Sequence, residues 1–407
     1  MEDWRHGGFG LYIHWPFCEA KCPYCDFNSY VSATVDTEMW EHALLRELDR
    51  HAALTQDRVL NSIFFGGGTP SLMPPNMVGR LIDRARAHWP FANDIEITLE
   101  ANPSSVEASR FADFRKAGVN RISMGIQALN DPDLKRLGRL HSVAEARSAL
   151  TVAKTYFERV SFDLIYARQD QTLEAWQREL TEAIEMSAGH LSLYQLTIEP
   201  GTAFGFRAKA GKLAGLPDED LSADMFDATN EICAAAGLHA YEVSNYSHKL
   251  LESKHNIIYW RGGDYIGIGP GAHGRLTLAG RRYATQTALA PQAWLERVAK
   301  LNSGTSRQEV LTPQDHANEL IMMGLRVSDG ISRRRIEGIA DTQLKIPDQS
   351  NRSVLIFHFP KIFDVSFFSL IDYSILFSSF GGKIFIAGSL NTFLLAIFFS
   401  KVNNNEG

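Results

Sequence analysis

An α/β fold is what this sequence predicts: an incomplete (β/α)6-type barrel followed by a smaller, mainly helical C-terminal domain. Three observations carry the prediction. Short runs rich in β-branched and aromatic residues alternate with amphipathic segments, polar residues gather at the C-terminal ends of those runs, and the alternation loosens after residue 205.

The strand candidates are residues 11–15, 62–65, 95–99, 121–126, 160–166 and 191–197. Each is an apolar run of the length a buried strand takes. Between them lie residues 37–54, 77–88, 105–117, 143–156 and 173–186, whose apolar residues recur at three and four positions, the period of a helix with one buried face. Strand and helix in alternation require right-handed crossovers and a parallel sheet. A doubly wound sheet would alternate in the same way. Cys18, the turn at 66–69, Glu100, Gln127 and Asp163 fall at or near strand C-termini, where barrel enzymes place their functional groups, and this favours the barrel over residues 1–205.

Residues 206–290 read as an extension of the barrel, with a helix over 218–236, a strand-like 239–243 and a glycine-rich 261–274. A helical domain is expected to open over 291–345. From 346 to 407 the chain turns to Phe, Ile, Leu and Ser with few charges, an atypical apolar tail. Residues 384–400 are uncharged, near the lower length limit for a membrane span, but Asn391 and several serines weaken that reading. An aberrant terminus prone to aggregation is the expectation, and no membrane association is expected of the body.

The formal charge of -6, with no basic tract, argues against nucleic acid as a main partner. Glu2, Asp3 and Trp4 stand where a secretory signal would begin with basic residues, so a cytoplasmic protein is expected. Three of the four cysteines fall within eight residues, a spacing for metal ligands in a reducing compartment rather than for a disulfide framework. The fourth, Cys233, sits in an alanine-rich helical run and reads as a buried small hydrophobe.

Cys18, Cys22 and Cys25 follow the first strand as CxxxCxxC. Three thiolates can hold a four-iron, four-sulfur cluster while leaving one iron open to an external ligand. The alternative is a zinc knot in a binding module. A closed zinc site needs four ligands, and no further Cys or His follows at finger-like spacing, although His14 and Asp26 flank the loop.

The stretch from Tyr12 through Cys18 to Asn28 resembles the radical S-adenosylmethionine (SAM) proteins related to oxygen-independent coproporphyrinogen III oxidase, and most of all the HemW haem chaperones. The resemblance runs from about residue 10 to 338. It implies a radical SAM barrel, with SAM chelating the open iron through its amino and carboxylate groups and cleaved by one electron to methionine and a 5'-deoxyadenosyl radical. Gly66-Gly67-Gly68-Thr69-Pro70 matches the family's GGGTP element, which lies against the methionine part of SAM. Glu100 in Glu-Ala-Asn-Pro, Gln127, Arg139 and Asp163 match further family positions. Glu100 suits ribose hydroxyls or an ammonium group. Arg139 suits a carboxylate, which its planar guanidinium can grip through two parallel hydrogen bonds. By the same resemblance Tyr12, Tyr24, Gly67, Gly68, Thr69 and Thr197 should line the cofactor pocket.

Two departures separate the chain from the oxidase. The oxidase continues its motif with a fourth cysteine where this chain has Phe27, and it carries N-terminal sequence that is missing here. Conversely, His255-Asn256-x-x-Tyr259-Trp260 matches the chaperone's HNxxYW motif. Imidazole is a common axial ligand of haem iron and aromatic faces can stack on a porphyrin, so His255, Asn256, Tyr259 and Trp260 are haem candidates, with His273 a second histidine to consider. The resemblance thus implies a haem-binding protein that serves a haem-acceptor protein and draws on a reducing electron donor. Decarboxylation of coproporphyrinogen III is the alternative.

Overall fold

The computed structural model describes residues 2–32 and 34–340 and the backbone of Val354–Leu355. Apart from that pair, the apolar tail, with its uncharged 384–400 stretch, lies outside the described residues. Among those described, no helix is long and apolar enough to cross a membrane.

The six expected strands form in sequence order as one parallel array: β1 Phe9–Trp15, β2 Leu60–Gly67, β3 Phe91–Ala101, β4 Arg121–Gln127, β5 Arg159–Tyr166 and β6 His190–Gln195. Helices α1 Thr37–Ala52, α2 Pro75–His88, α3 Phe111–Lys116, α4 Val143–Tyr156 and α5 Leu173–Met186 make the crossovers. The helix expected over 105–117 is broken, a single turn at Ser105–Ala108 preceding α3. At the break Arg110 reaches back and donates to the carbonyls of Ser71 (2.7 Å) and Met73 (2.5 Å).

Beyond β6 the chain returns to the same sheet. After α6 Glu219–Ala235, strands β7 His239–Glu242 and β8 Asn245–Ser247 extend the β6 edge antiparallel. After α7 Lys254–Trp260, β9 Asp264–Ile268 pairs parallel with the other side of β1, and β10 His273–Leu278, β11 Arg281–Thr287 and β12 Thr305–Val310 continue outward antiparallel. Twelve described strands therefore form one sheet, ordered β12-β11-β10-β9-β1-β2-β3-β4-β5-β6-β8-β7. The glycine-rich 261–274 segment supplies β9 and the start of β10, and β12 lies inside the stretch expected to be helical. Helices α8 Pro291–Leu301, α9 Pro313–Gly324 and α10 Arg333–Ala340 surround it.

Strand alternation sorts the two faces. Phe9, Leu11, Ile13 and Trp15 of β1 are buried in one core with Trp40, Leu44 and Leu48 of α1. Trp40 in turn stacks on Trp294 of α8, with centroids 5.4 Å apart. The other face is polar even where it is buried: Ser62, Glu96, Thr98, Arg121, Ser123, Ser161 and Ser192. Buried polar groups persist only when paired. Arg159 Nη1 lies 2.6 Å from Glu96 Oε2, and Arg121 Nη2 donates to Ser161 at 2.8 Å. Where β9 joins β10 and β11, the buried Asp264 carboxylate accepts from Arg58 (2.5 Å), Arg282 (2.8 Å) and the Thr277 hydroxyl (3.0 Å).

Candidate functional site

The cysteine loop leaves the C-terminal end of β1 and is clamped on both sides. The Pro16 carbonyl accepts from Tyr30 N (2.8 Å), and Phe17–Cys18 pairs parallel with Tyr30–Val31, closing the loop on itself. Gly68 N donates to Trp15 O (2.7 Å) and Thr69 N to Phe17 O (2.9 Å), tying the loop to the turn after β2. This approach needs glycine: a Cβ at Gly68 would stand 2.8 Å from Phe17 O, and one at Gly67, where φ is +114°, 2.6 Å from the His14 ring. Phe204 N donates to Pro23 O at 2.8 Å and anchors the far side of the loop.

Hydrogen-bond donors are aimed at the thiols. The Thr69 hydroxyl donates to Cys18 Sγ (3.4 Å) and Arg139 Nη1 to Cys22 Sγ (3.5 Å), while Cys25 Sγ meets Ser29 Oγ at 3.8 Å. Burial pushes the Cys18 and Cys25 thiols up, and the Thr69 and Ser29 hydroxyls work against it. Such donors stabilise thiolate sulfur, the form that iron binds. Among the described residues no three His, Cys, Asp or Glu side chains converge as ligands of a single metal ion would. A cubane makes a different demand, since each thiolate takes its own iron. Three thiols on one clamped loop, each with a hydrogen-bonding group beside it, fit that group.

The carboxylates expected from strand ends lie on the polar face. Glu100 accepts from Gly67 N at 3.1 Å. Surrounding protein and the neighbouring Asp163 push its carboxyl up to about 8. Asp163 is pushed up to about 6 by burial, opposed by the Ser192 hydroxyl and by the charges of Arg121 and Arg139. Tyr12 shares a hydrogen bond with His14 Nδ1 (3.0 Å) and stacks on Phe64. Tyr24 packs against the small cluster of Leu134, Leu137 and Phe204, and its hydroxyl lies within the electrostatic reach of Arg139 and Cys22. Gln127 ends β4 at φ +75°, a strained value for a residue with a side chain, and its buried Oε1 has no hydrogen-bond partner. Arg139 Nε is likewise buried without one. An unmatched acceptor and an unmatched donor beside the cysteine loop suit a ligand with amino and carboxylate groups. Thr197 lies two residues past β6, where its hydroxyl acts on the Glu199 carboxyl.

Arg139 differs from the sequence expectation in one respect. Its Nη2 already donates to Asn102 Oδ1 (2.6 Å) and to Gly125 O (2.7 Å). Either two-point grip of a guanidinium on a carboxylate would use an Nη2 proton, so the fork is committed to the protein, and Nε with the second Nη1 proton is what remains for a ligand. Asn102 itself went unnoticed in the sequence, and His14, weighed there only as a flanking zinc ligand, bonds Asn28 O through Nε2 at 2.9 Å and fixes the end of the loop. The signal for Asn102 was present, in Glu-Ala-Asn-Pro at a strand terminus.

The HNxxYW segment forms α7 and lies against the polar face toward the strand N-termini. His255 is buried, stacks on Phe64 at 5.0 Å and uses both ring nitrogens: Nδ1 with Ser62 Oγ (2.7 Å) and Nε2 with Tyr259 Oη (2.5 Å). Its burial lowers the imidazole to about 3, so it is neutral. In this conformation it offers an iron no unoccupied nitrogen. Asn256, Tyr259 and Trp260 are partly exposed, Tyr259 meets the ring of Tyr265 and Trp260 lies beneath the Arg326 guanidinium at 5.5 Å. Phe27, in place of a fourth cysteine, is 60% exposed beside the loop. Cys233 is fully buried, far from solvent, on α6.

Comparison with known proteins places this geometry. The Radical SAM superfamily profile matches residues 12–182. The chain is 45% identical to the haem chaperone HemW of Escherichia coli over 70% of its own length and 75% of that protein's. It is 38% identical to the mitochondrial radical S-adenosyl methionine domain-containing protein 1 of Danio rerio over 80% of its own length and 74% of that protein's. Among solved structures, the coproporphyrinogen III oxidase HemN of E. coli superposes with a TM-score of 0.70 at 22% identity, covering 82% of this chain and 79% of that one, a likeness of fold.

Proposed function

This chain belongs to the HemW family of radical SAM proteins, and from that premise we propose that it binds haem and passes it to an acceptor protein. The superfamily brings two cofactors, a [4Fe-4S] cluster and SAM. We assign the cluster to Cys18, Cys22 and Cys25, and SAM to the pocket of Tyr12, Tyr24, Gly67, Gly68, Thr69, Glu100, Gln127, Arg139, Asp163 and Thr197. When bound, that pair supplies one-electron chemistry from a reducing donor. The residues of the chain hold and orient. The Gly67–Thr69 backbone lets a ligand lie close, Arg139 Nε and Gln127 Oε1 meet its polar groups, and Glu100, protonated at neutral pH, can donate as well as accept. Cytoplasm is the compartment that suits the half-buried reduced thiols.

The observation that carries the chaperone reading over the oxidase is the likeness to HemW across most of both chains, together with Phe27 where the oxidase motif has cysteine. The haem site is assigned to the HNxxYW segment, with His255 reaching iron once Tyr259 releases it. This is tested by titrating haem into anaerobically reconstituted full-length protein and following the Soret band. Binding near one haem per chain is expected, weakened in His255→Ala and strengthened in Tyr259→Phe, which frees Nε2. No Soret shift in the wild type sinks the chaperone reading, and equal binding by all three proteins sinks the His255 assignment alone. Protoporphyrinogen formed from coproporphyrinogen III in an anaerobic assay would restore the oxidase. A preparation carrying zinc and no iron would restore the binding module.

A further inference from the structure

We infer that Asn102 is a positioning residue that orients the hydrogen-bond donors of two cluster cysteines at once. The inference rests on assigning the cluster to Cys18, Cys22 and Cys25. Five side chains form a continuous path: Cys18 Sγ, Thr69 Oγ1 (3.4 Å), Asn102 (Nδ2 to Thr69 Oγ1, 3.3 Å; Oδ1 from Arg139 Nη2, 2.6 Å), Arg139, and Cys22 Sγ (Nη1, 3.5 Å).

Donor and acceptor rules fix the direction of every link. A guanidinium can only donate, so the end of the Asn102 amide facing Arg139 must be its oxygen, and the NH2 end must face Thr69. That NH2 can only donate, so the Thr69 hydroxyl accepts from it and keeps its own proton for Cys18 Sγ. With the amide reversed, two donors would meet at Arg139 and the Thr69 proton would be drawn to the amide oxygen, away from the sulfur. The amide is itself held in place. Its backbone N donates to Glu107 Oε2 at 2.8 Å, and Glu107 accepts from the Ser71 hydroxyl in the turn that follows Thr69. Pro103 and the end of β3 limit the backbone further.

Hydrogen bonds to cluster sulfurs are one of the levers by which a protein sets the reduction potential, because they stabilise the more electron-rich state. Loss of Asn102 releases the Thr69 hydroxyl to turn elsewhere and loosens Arg139, so both sulfurs lose donor density and the cluster becomes harder to reduce. Cys25, served by Ser29, is outside the path.

The experiment compares anaerobically reconstituted full-length wild type, N102A, T69V and the N102A/T69V double variant for iron and sulfide content, and then for cluster midpoint potential by spectroelectrochemical titration. All are expected to hold four irons. N102A and T69V should each move the potential to more negative values, and adding N102A to T69V should move it by less than N102A does alone, since part of its effect passes through Thr69. An unchanged potential in N102A, or full additivity with T69V, overturns the inference. A wild type without a four-iron cluster overturns instead the cluster assignment on which it rests. Should N102A not accumulate folded, N102S, which is too short to reach Arg139, takes its place under the same criteria.

Discussion

At the scale of single residues, Glu100 and Gln127 show a site arranged for something other than stability. The Glu100 carboxyl, at an ordinary value of 4.5 in the unfolded chain, rises to about 8 in the fold because protein surrounds it and Asp163 stands close. Between those values the folded chain holds a proton that the unfolded chain has released. Stability is therefore fully present below about pH 4.5 and is lost as pH rises through 8. Thermal melts of the metal-free chain followed by circular dichroism should show a Tm that falls from pH 5 to pH 8, and Glu100→Gln should flatten that slope. Gln127 pays for its position in backbone strain. Gln127→Gly should stabilise the metal-free chain by about 1 kcal/mol in chemical denaturation while weakening SAM binding. The residue types at these positions were legible because each ends a strand. Their geometry was not: neither the positive φ of Gln127 nor the commitment of the Arg139 fork to Asn102 and Gly125 leaves a mark in the sequence.

At the scale of elements, α7 is a seven-residue helix that would not stand alone, since nucleating so short a helix is unfavourable without tertiary contacts. Its N-cap supplies them. The buried Ser253 side chain accepts from Asn256 N at 3.4 Å and donates to Glu96 Oε1 at 3.5 Å, and His255 N also donates to Glu96 at 3.3 Å. Ser253→Ala should cost about 1–2 kcal/mol of stability in urea unfolding, the usual range for losing a cap, with the m-value unchanged. The sequence marks this helix through a motif and says nothing of where it packs. The partners of His255, Ser62 and the Glu96 carboxylate, are 193 and 159 positions away. Contacts at such separation are set by the sheet, and local pattern carries no trace of them. The loop of Cys18, Cys22 and Cys25 was legible for the opposite reason, because its spacing is local.

At the scale of the whole molecule, the six parallel strands and their crossovers were readable from periodicity, whereas the six strands added at the two edges were largely hidden. β9 sits in a glycine-rich stretch and β12, Thr305–Val310, is polar along its length, so neither shows the apolar run that marks a buried strand. The junction on the β1 side depends on Asp264, whose carboxylate is surrounded by two buried arginines and Thr277. Asp264→Asn removes the charge but leaves both guanidinium groups in place, and should cost about 3–5 kcal/mol in guanidinium unfolding, the penalty for stranding buried charge. The same arrangement bears on how ligands arrive. With β9 bonded along one side of β1 and β8 along the free side of β6, the two end strands of the parallel array have no edge left to offer each other, and the array cannot zip into a closed ring. The open side shortens the approach of a flat, wide guest to the polar face, yet the imidazole proposed to meet the guest stays held by Tyr259 until that contact breaks. The guest's arrival should follow a rate that climbs with guest concentration at first and then levels off at the rate at which Tyr259 releases the buried His255 imidazole.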